Sequence, residues 1–125
     1  MSIPQDRKYS ESHEWFQIEG DLVTVGISQF AADELTDITY VDLPEVGSAV
    51  SIDKPCAEIE SVKATAELIS AINGTISAVN ESLVDKPELV NDDPFGAGWM
   101  IKVKCDDLSP LDKLMSAEAY EKHAG

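Results

Sequence analysis

The segment CAEIESVKATAELIS, residues 56–70, decides the fold of this chain because it predicts two short strands with a lysine at the bend between them. Apolar and polar residues alternate on both sides of Lys63, a period of two that is typical of half-buried strands. We therefore expect a β-hairpin that turns about Lys63 and Ala64 and holds the lysine at its exposed end.

The pairing expected across this hairpin is unusual in its charges. Ile59 pairs with Leu68 on the apolar face. Glu60 then pairs with Glu67 on the other face, and like charges directly opposite each other destabilise a strand pair. No Gly, Asn or Pro is present at the turn, although these residues form tight turns most readily. Such local conflicts are more frequent at functional sites than elsewhere.

Strands and turns also dominate the rest of the chain. Residues 15–18 and 22–27 predict a hairpin around Gly20, and Ser28 has the character of an N-cap for a helix over 29–35. Further elements follow the same cues: strands at 38–41, 47–51, 74–79 and 99–104 (with Trp99, Ile101 and Val103 inward), a loop rich in helix breakers at 87–98, and short helices at 111–115 and 116–123. The sequence therefore predicts a mainly β fold without an interdomain linker.

Composition excludes several classes of function. The 125 residues carry a formal net charge of -15, with a pI of about 4.2, which disfavours binding to nucleic acids and to anionic membranes. No apolar run approaches the roughly 20 residues that span a bilayer, and the N-terminus resembles no targeting segment. Cys56 and Cys105 form no CxxC pair, which suits a reducing compartment. We therefore expect a cytoplasmic protein.

Motifs for independent catalysis are missing from the sequence. His13 and Glu14 begin an HExxH pattern, but Gln17 occupies the position of the second histidine, so no metal site is expected. The chain contains no G-x-S-x-G or P-loop pattern either. These absences disfavour a hydrolase or a kinase.

A series of motifs in fixed order makes the chain resemble the glycine-cleavage-system H protein family. The matches cover nearly the whole chain, which makes them specific as a set. They are Ser12-His13-Glu14-Trp15, Val23 to Ile27, Asp37 to Gly47, Glu60-Ser61-Val62-Lys63-Ala64, Val79-Asn80-Glu81, Pro87 to Asn91, and Asp93 to Trp99.

This resemblance implies both a fold and a cofactor. The fold is a lipoyl/biotinyl-type flattened barrel or sandwich with an N-terminal hairpin and short C-terminal helices. It forms a single domain over residues 1–125, with a lipoyl-type core at about 22–104. The Glu-Ser-Val-Lys-Ala match implies that lipoate is attached covalently to Lys63. The protein itself would be a carrier in glycine catabolism and one-carbon metabolism, without a catalytic site of its own.

The resemblance also implies the partners. The carrier would take the aminomethyl group of glycine from a pyridoxal-phosphate-dependent glycine decarboxylase (P protein) to a folate-dependent aminomethyltransferase (T protein). A flavin dihydrolipoyl dehydrogenase (L protein) would reoxidise the arm, and a lipoate ligase or lipoyl transferase would attach it. Visits to several active sites suit a monomer.

Four further residues are candidates for holding the loaded arm or for recognition by the attaching ligase: Ser12, Glu14, Glu60 and Glu67. The hypothesis rests on charge, because an aminomethyl group carries a primary amine that is cationic near neutral pH. Family members often have Ser-Asp where this chain has Ala66-Glu67, which puts a transferred role for Glu67 in doubt.

Several alternatives remain open at the level of sequence. A biotinyl domain is disfavoured because Val62 and Ala64, and not methionines, flank Lys63. An H-like protein that serves a regulatory or redox system is a second alternative, and an interaction protein with an unmodified Lys63 is a third. Cys56 is interpreted as a buried small side chain, with thiol exchange against a dithiolane arm as the alternative.

Overall fold

Two antiparallel sheets make up the body of the protein, in a computed structural model that describes residues 4–124. Six strands form one sheet in the order β1-β2-β3-β9-β8-β5, and three form the other in the order β4-β6-β7. In chain order the elements are β1 Lys8–Tyr9, β2 Glu14–Glu19, β3 Leu22–Ile27, α1 Gln29–Leu35, β4 Ile38–Asp42, β5 Ala49–Val50, β6 Pro55–Ser61, β7 Thr65–Ile69, β8 Gly74–Val79, α2 Ser82–Asp85, α3 Leu89–Asp92, β9 Ile101–Lys104, a 3-10 helix Ser109–Lys113 and α4 Ala117–Ala124.

The N-terminal hairpin and the helix after it agree with the sequence patterns. Strands β2 and β3 pair from Glu14 opposite Ile27 to Glu19 opposite Leu22, around a turn in which Gly20 has φ +65°. Glycine adopts this left-handed conformation at little cost. Ser28 begins α1 as its N-cap, since its side chain accepts the N–H of Ala31. Both predictions are confirmed.

The register predicted for the central hairpin is wrong. Strands β6 and β7 do pair antiparallel, but Ile59 lies opposite Ala66 and Glu60 lies opposite Thr65. Glu67 faces Glu58, so two carboxylates still oppose each other, although they are not the predicted pair. The turn is displaced by one residue because the Ser61 hydroxyl organises it.

Two predictions in the C-terminal half need correction. The loop predicted at 87–98 contains the short helix α3, since one turn of helix fits between Pro87 and the glycines that follow. Strand β9 begins at Ile101 and not at residue 99, because Trp99 still belongs to a turn in which its N–H donates to the carbonyl of Gly96. Trp99 is only half-buried, whereas Met100 is fully buried. The 3-10 helix and α4 replace the two predicted C-terminal helices at closely similar positions.

A single apolar cluster joins the inner faces of the two sheets. Val25 and Ile101 reach it from the six-stranded sheet, and Ile59 and Leu68 reach it from the three-stranded sheet. A smaller, mainly aromatic cluster of Tyr9, Trp15, Ala117 and Tyr120 packs α4 against β1 and β2. This shared core confirms the mainly β fold class, while the division into a domain over 1–125 with a lipoyl-type core at 22–104 stays a prediction. Among the described residues, no helix has the length and apolarity to cross a membrane.

Candidate functional site

Lys63 occupies the exposed tip of the β6–β7 hairpin, in a turn that Ser61 closes. The Ser61 N–H donates to the Ala64 carbonyl at 2.8 Å. The Ser61 hydroxyl oxygen accepts the N–H of Lys63 at 3.1 Å and the N–H of Ala64 at 2.9 Å. Serine at the first position of a turn stabilises it in this way. That serine was the sequence signal for the true register, in a segment with no Gly, Asn or Pro.

A groove begins beside Lys63. The Lys63 side-chain nitrogen donates to the Glu34 carbonyl at 3.4 Å, and Glu34 lines the groove, which has a volume of about 390 Å³. Its walls come from α1, β2, β3, β6, β7 and the turn before β2. The apolar lining residues are Ile27, Phe30, Ala31, Leu35, Ile59 and Ala66, and the polar ones are Ser12, His13, Glu14, Glu34 and Glu67.

Glu14 provides a buried carboxylate in the wall of this groove. One of its oxygens accepts the hydroxyls of Ser10 (2.5 Å) and Ser12, and the other accepts the N–H of Ile69 at 3.2 Å. The side chain is only 1% exposed. Across residues 4–124, no basic side chain forms an ion pair with it. The carboxylate thus has three hydrogen-bond donors around it and no cation, and a bound cation would favour its charged form.

Burial raises the pKa of Glu14, while the hydrogen bonds from Ser10, Ser12 and Ile69 oppose that rise. Desolvation disfavours the charged carboxylate, and donated hydrogen bonds favour it. The charged form of Glu14 is therefore held mainly by fixed dipoles, which a cationic ligand would supplement.

A second acidic feature lies on the outer face of the three-stranded sheet. Asp42, Glu58 and Glu67 form a row of three exposed carboxylates across β4, β6 and β7. Glu60 lies in the next row, between Tyr40 and Thr65, close to the hairpin tip. We call these four carboxylates, Asp42, Glu58, Glu60 and Glu67, the acidic face. It is contiguous with the turn that holds Lys63.

The two cysteines are poor nucleophiles in this fold. Cys56 is half-buried, and its thiol donates to the Leu68 carbonyl at 3.3 Å. Burial, together with the nearby charge of Glu14, raises the pKa of Cys56 to about 12. Burial also raises the pKa of Cys105. Both thiols are therefore protonated near neutral pH. Thiol exchange requires the thiolate, so neither cysteine is suited to it.

Comparisons with known proteins identify the family. The family model described as "Glycine cleavage H-protein" matches residues 7–125. The chain is 51% identical over 122 residues to a glycine cleavage system H protein of Bacillus pumilus, covering 98% of this chain and 96% of that protein. The corresponding protein of Bacillus subtilis is 50% identical over 122 residues, with the same coverage. The crystal structure of a glycine cleavage system H protein from Mycobacterium marinum matches with a TM-score of 0.88 and 40% identity, covering 96% of this chain and 97% of that one.

The chain belongs to the glycine cleavage H-protein family.

In this member of the H-protein family, only part of the predicted residue set comes together. Ser12 and Glu14 are hydrogen-bonded to each other in the groove wall, and Glu67 lies at the groove and on the acidic face. Glu60 does not line the groove and is exposed on the sheet. Lys63 does not line the groove itself, but its amine contacts the carbonyl of Glu34, which does.

Sequence reasoning missed other residues of the H-protein groove. Ser10 and the Ile69 amide complete the environment of Glu14, and Phe30 and His13 form an aromatic wall with ring centroids 4.6 Å apart. His13 was part of the Ser-His-Glu-Trp motif, so a signal for it existed. The Ile69 and Glu34 contacts are made by backbone atoms, which leave no mark on residue identity. Among residues 4–124, no group of three or more His, Cys, Asp or Glu side chains is arranged to hold a metal ion.

Proposed function

We propose that this protein is the lipoyl carrier of a glycine cleavage system, with lipoate joined to Lys63 as an amide. The observation that carries the proposal is the position of Lys63, at an exposed, hydrogen-bonded turn that opens onto a groove. A carrier lysine has to be reached by several enzymes, and a β scaffold fixes it more firmly than a loose loop. The protein is a non-catalytic component, because the cofactor supplies the chemistry and the chain supplies its position.

The groove fits a lipoyl group in its chemistry. Its apolar wall, formed in part by Phe30, Leu35 and Ile59, suits an aliphatic arm that starts at the adjacent Lys63. When bound, lipoate supplies a dithiolane that accepts the aminomethyl group of glycine. The residues of the chain would hold that arm against the apolar wall and exclude water from it.

Glu14 is proposed to hold the cationic end of the cargo in this groove. Its carboxylate is buried and lacks an ion-pair partner among residues 4–124, so an aminomethyl cation would supply the missing charge. Ser12 would orient the carboxylate through its hydrogen bond. A charged hydrogen bond of this kind corresponds to about tenfold to a hundredfold in binding.

The acidic face is proposed to guide basic partner surfaces to Lys63. Its four carboxylates lie beside the hairpin tip, and long-range attraction of this kind raises association rates. Glu60 and Glu67 would thus serve recognition by the lipoate ligase or lipoyl transferase, and Glu67 would in addition border the groove. The other proposed partners are glycine decarboxylase, the aminomethyltransferase and dihydrolipoyl dehydrogenase, visited by a monomer in the bacterial cytoplasm.

Intact-mass measurement with peptide mapping tests the carrier assignment. The protein is expressed with lipoate, biotin and a lipoate ligase all available. A lipoyl increment on the peptide that contains Lys63 is expected. A biotin increment would move the protein to carboxylase chemistry, and no increment would leave Lys63 an ordinary surface lysine. Glycine–CO2 exchange with the cognate decarboxylase then separates a glycine cleavage carrier, which supports exchange, from a regulatory H-like protein, which does not.

The role of Glu14 is tested by the stability of the loaded arm. We expect the cargo on Glu14→Gln to be hydrolysed about tenfold to a hundredfold faster than the cargo on the unchanged protein, because the amide cannot neutralise a cation. Glu60→Gln is the matched control, since it makes the same substitution at a glutamate outside the groove. Equal hydrolysis rates in the two variants would refute the role.

A further inference from the structure

A chain of hydrogen bonds connects the C-terminal helix α4 to the wall of the groove. The Tyr120 hydroxyl oxygen lies 2.6 Å from the Ser28 hydroxyl and 2.7 Å from Nδ1 of His13. Ser28 is fully buried and is also the N-cap of α1, through the N–H of Ala31. His13 lines the groove. The last helix of the protein is thus in direct contact with a groove residue that precedes it by 107 positions.

The positions of the hydrogens in this chain follow from counting donors. If Ser28 donates to Tyr120, then Tyr120 donates to Nδ1 of His13, and both hydroxyl hydrogens have an acceptor. If Nδ1 of His13 carried a proton and donated it to Tyr120, the hydroxyls of Tyr120 and Ser28 would have only their mutual contact left for two hydrogens. One of the two hydroxyl hydrogens would then have no acceptor among residues 4–124. An unsatisfied buried donor is costly, so the first arrangement is favoured.

We propose that Tyr120 is a positioning residue for the carrier groove, whose hydroxyl holds His13 in its neutral form with the proton on Nε2, so that the groove accepts a cationic cargo. This inference rests on the proposed function, because the cation is the aminomethyl cargo that Glu14 is proposed to hold. A protonated His13 would place a positive charge in the same groove wall and repel that cargo.

The other charges around His13 agree with this assignment. Burial lowers the pKa of His13, the neighbouring ring of His123 lowers it further, and Glu34 opposes them. The titratable groups around His13 are Tyr120 and His123 on α4, which contact its ring, and three carboxylates that line the same groove: Glu34 on α1, Glu14 on β2 and Glu67 on β7. The Glu34 carboxylate favours a proton on His13, and the hydrogen bonds among Ser28, Tyr120 and Nδ1 of His13 oppose it.

A titration of the His13 ring by NMR tests the positioning role on the unloaded protein. We expect Tyr120→Phe to raise the His13 midpoint by about half a unit to one unit, a threefold to tenfold change in proton affinity, because a typical hydrogen bond to the neutral form is lost. The phenylalanine ring retains the stacking on Tyr9, whose ring centroid lies 4.8 Å away. Ser28→Ala removes the Ser28 hydroxyl, so Tyr120 no longer accepts a hydrogen bond from it and its oxygen is free to accept one from a protonated His13. This variant should therefore shift the His13 midpoint in the same direction.

Tyr9→Phe is the matched control. It removes another hydroxyl from the same aromatic stack, but that hydroxyl donates to the Pro4 carbonyl and does not contact His13. We expect its His13 midpoint to match that of the unchanged protein. If Tyr120→Phe and Ser28→Ala leave the midpoint unchanged while His123→Gln raises it, the neutral state is due to His123, and the role of Tyr120 is refuted.

The consequence for the cargo is measured as the hydrolysis rate of the loaded arm between pH 5.5 and 8. In the unchanged protein, hydrolysis should accelerate as pH falls through the His13 midpoint, because the protonated ring expels the cation. In Tyr120→Phe the acceleration should begin at a pH higher by the same half to one unit. A hydrolysis profile that does not follow the midpoint would refute the link to cargo. Since the NMR titration requires no lipoyl group, a failure of Lys63 attachment in the mass measurement would be recognised separately.

Discussion

The two sheets present similar faces to the core and very different faces to solvent. On the six-stranded sheet, Lys102 lies opposite Thr24, and Lys104 lies between Leu22 and Thr75, so charges alternate with neutral neighbours. On the three-stranded sheet, the acidic face puts a carboxylate opposite a carboxylate across all three strands. Like charges in such positions lower stability. The smaller sheet therefore carries a feature that folding does not require, and Lys63 lies next to it.

The largest expected effect comes from comparing one lysine of each sheet, Lys63 and Lys104. Lys63→Arg should abolish the lipoyl increment completely, because a guanidinium cannot form the amide that the lysine amine forms. Lys104→Arg, on an exposed strand end of the six-stranded sheet, should retain the full increment. Intact mass checks both variants. An increment that persists in Lys63→Arg would move the attachment site to another residue and remove the functional difference between the sheets.

A second test asks whether the two sheets, which share one apolar core, also unfold together as one cooperative unit. Ile59 is buried in the three-stranded sheet and Ile76 in the six-stranded sheet, and both belong to the same cluster. Each change to alanine should lower the free energy of unfolding by about 2–5 kcal/mol. Denaturant unfolding should remain a single transition with an unchanged slope. A second transition in Ile59→Ala alone would mean that the smaller sheet unfolds separately.

Alternation along the chain predicts the faces of these sheets well but cannot determine the register of β6 and β7. The predicted and observed pairings differ by a shift of two residues, for instance Ile59 with Leu68 in place of Ala66. A shift of two leaves every side chain on the same face, so the apolar pattern fits both registers equally. Only the turn chemistry of Ser61 distinguishes them. The β2–β3 hairpin was predictable at the level of its two strands and their turn, because Gly20 marks the turn.

The residues of the site also fall into a group that the sequence could indicate and a group that it could not. Lys63 and the Ser12–Glu14 pair lie in short motifs, and the resemblance to the H-protein family indicated them from sequence. The contacts of Tyr120 with His13 and Ser28 join residues separated by 107 and 92 positions, and they depend on where α4 packs. No periodicity or spacing carries that information. The contact between Lys63 and Glu34 likewise uses a backbone carbonyl group, which every residue has.

Substitution of Ser61 should have an intermediate effect on the free energy of unfolding. Ser61→Ala should lower the free energy of unfolding by about 1 kcal/mol, because two backbone N–H groups in the turn lose their side-chain acceptor. It should also slow the attachment of lipoate, since the tip is less well fixed. Ser77→Ala, at an exposed position on β8, is the control and should stay within about 0.5 kcal/mol. Equal stability and equal attachment rates in the two variants would show that the turn does not need its serine.

The smallest effect tests the acidic face itself. Glu58→Gln removes the middle carboxylate of the row between Asp42 and Glu67. It should raise the free energy of unfolding by about 0.2–1 kcal/mol at low ionic strength, because two repulsive neighbour contacts disappear. The gain should nearly vanish at about 1 M salt, where charges are screened within about 3 Å. Thermal or denaturant unfolding at the two salt concentrations measures both values.

Glu19→Gln is the control for this variant, since Glu19 lies opposite Leu22 on the six-stranded sheet and has no acidic partner there. Its stability should change little and should not depend on salt in the same way. The same two proteins separate stability from recognition, because Glu58→Gln should be lipoylated more slowly at low salt although it is more stable, whereas Glu19→Gln should match the unchanged protein. A variant that gained stability without losing attachment rate would mean that the repulsion on the smaller sheet serves no partner that modifies Lys63.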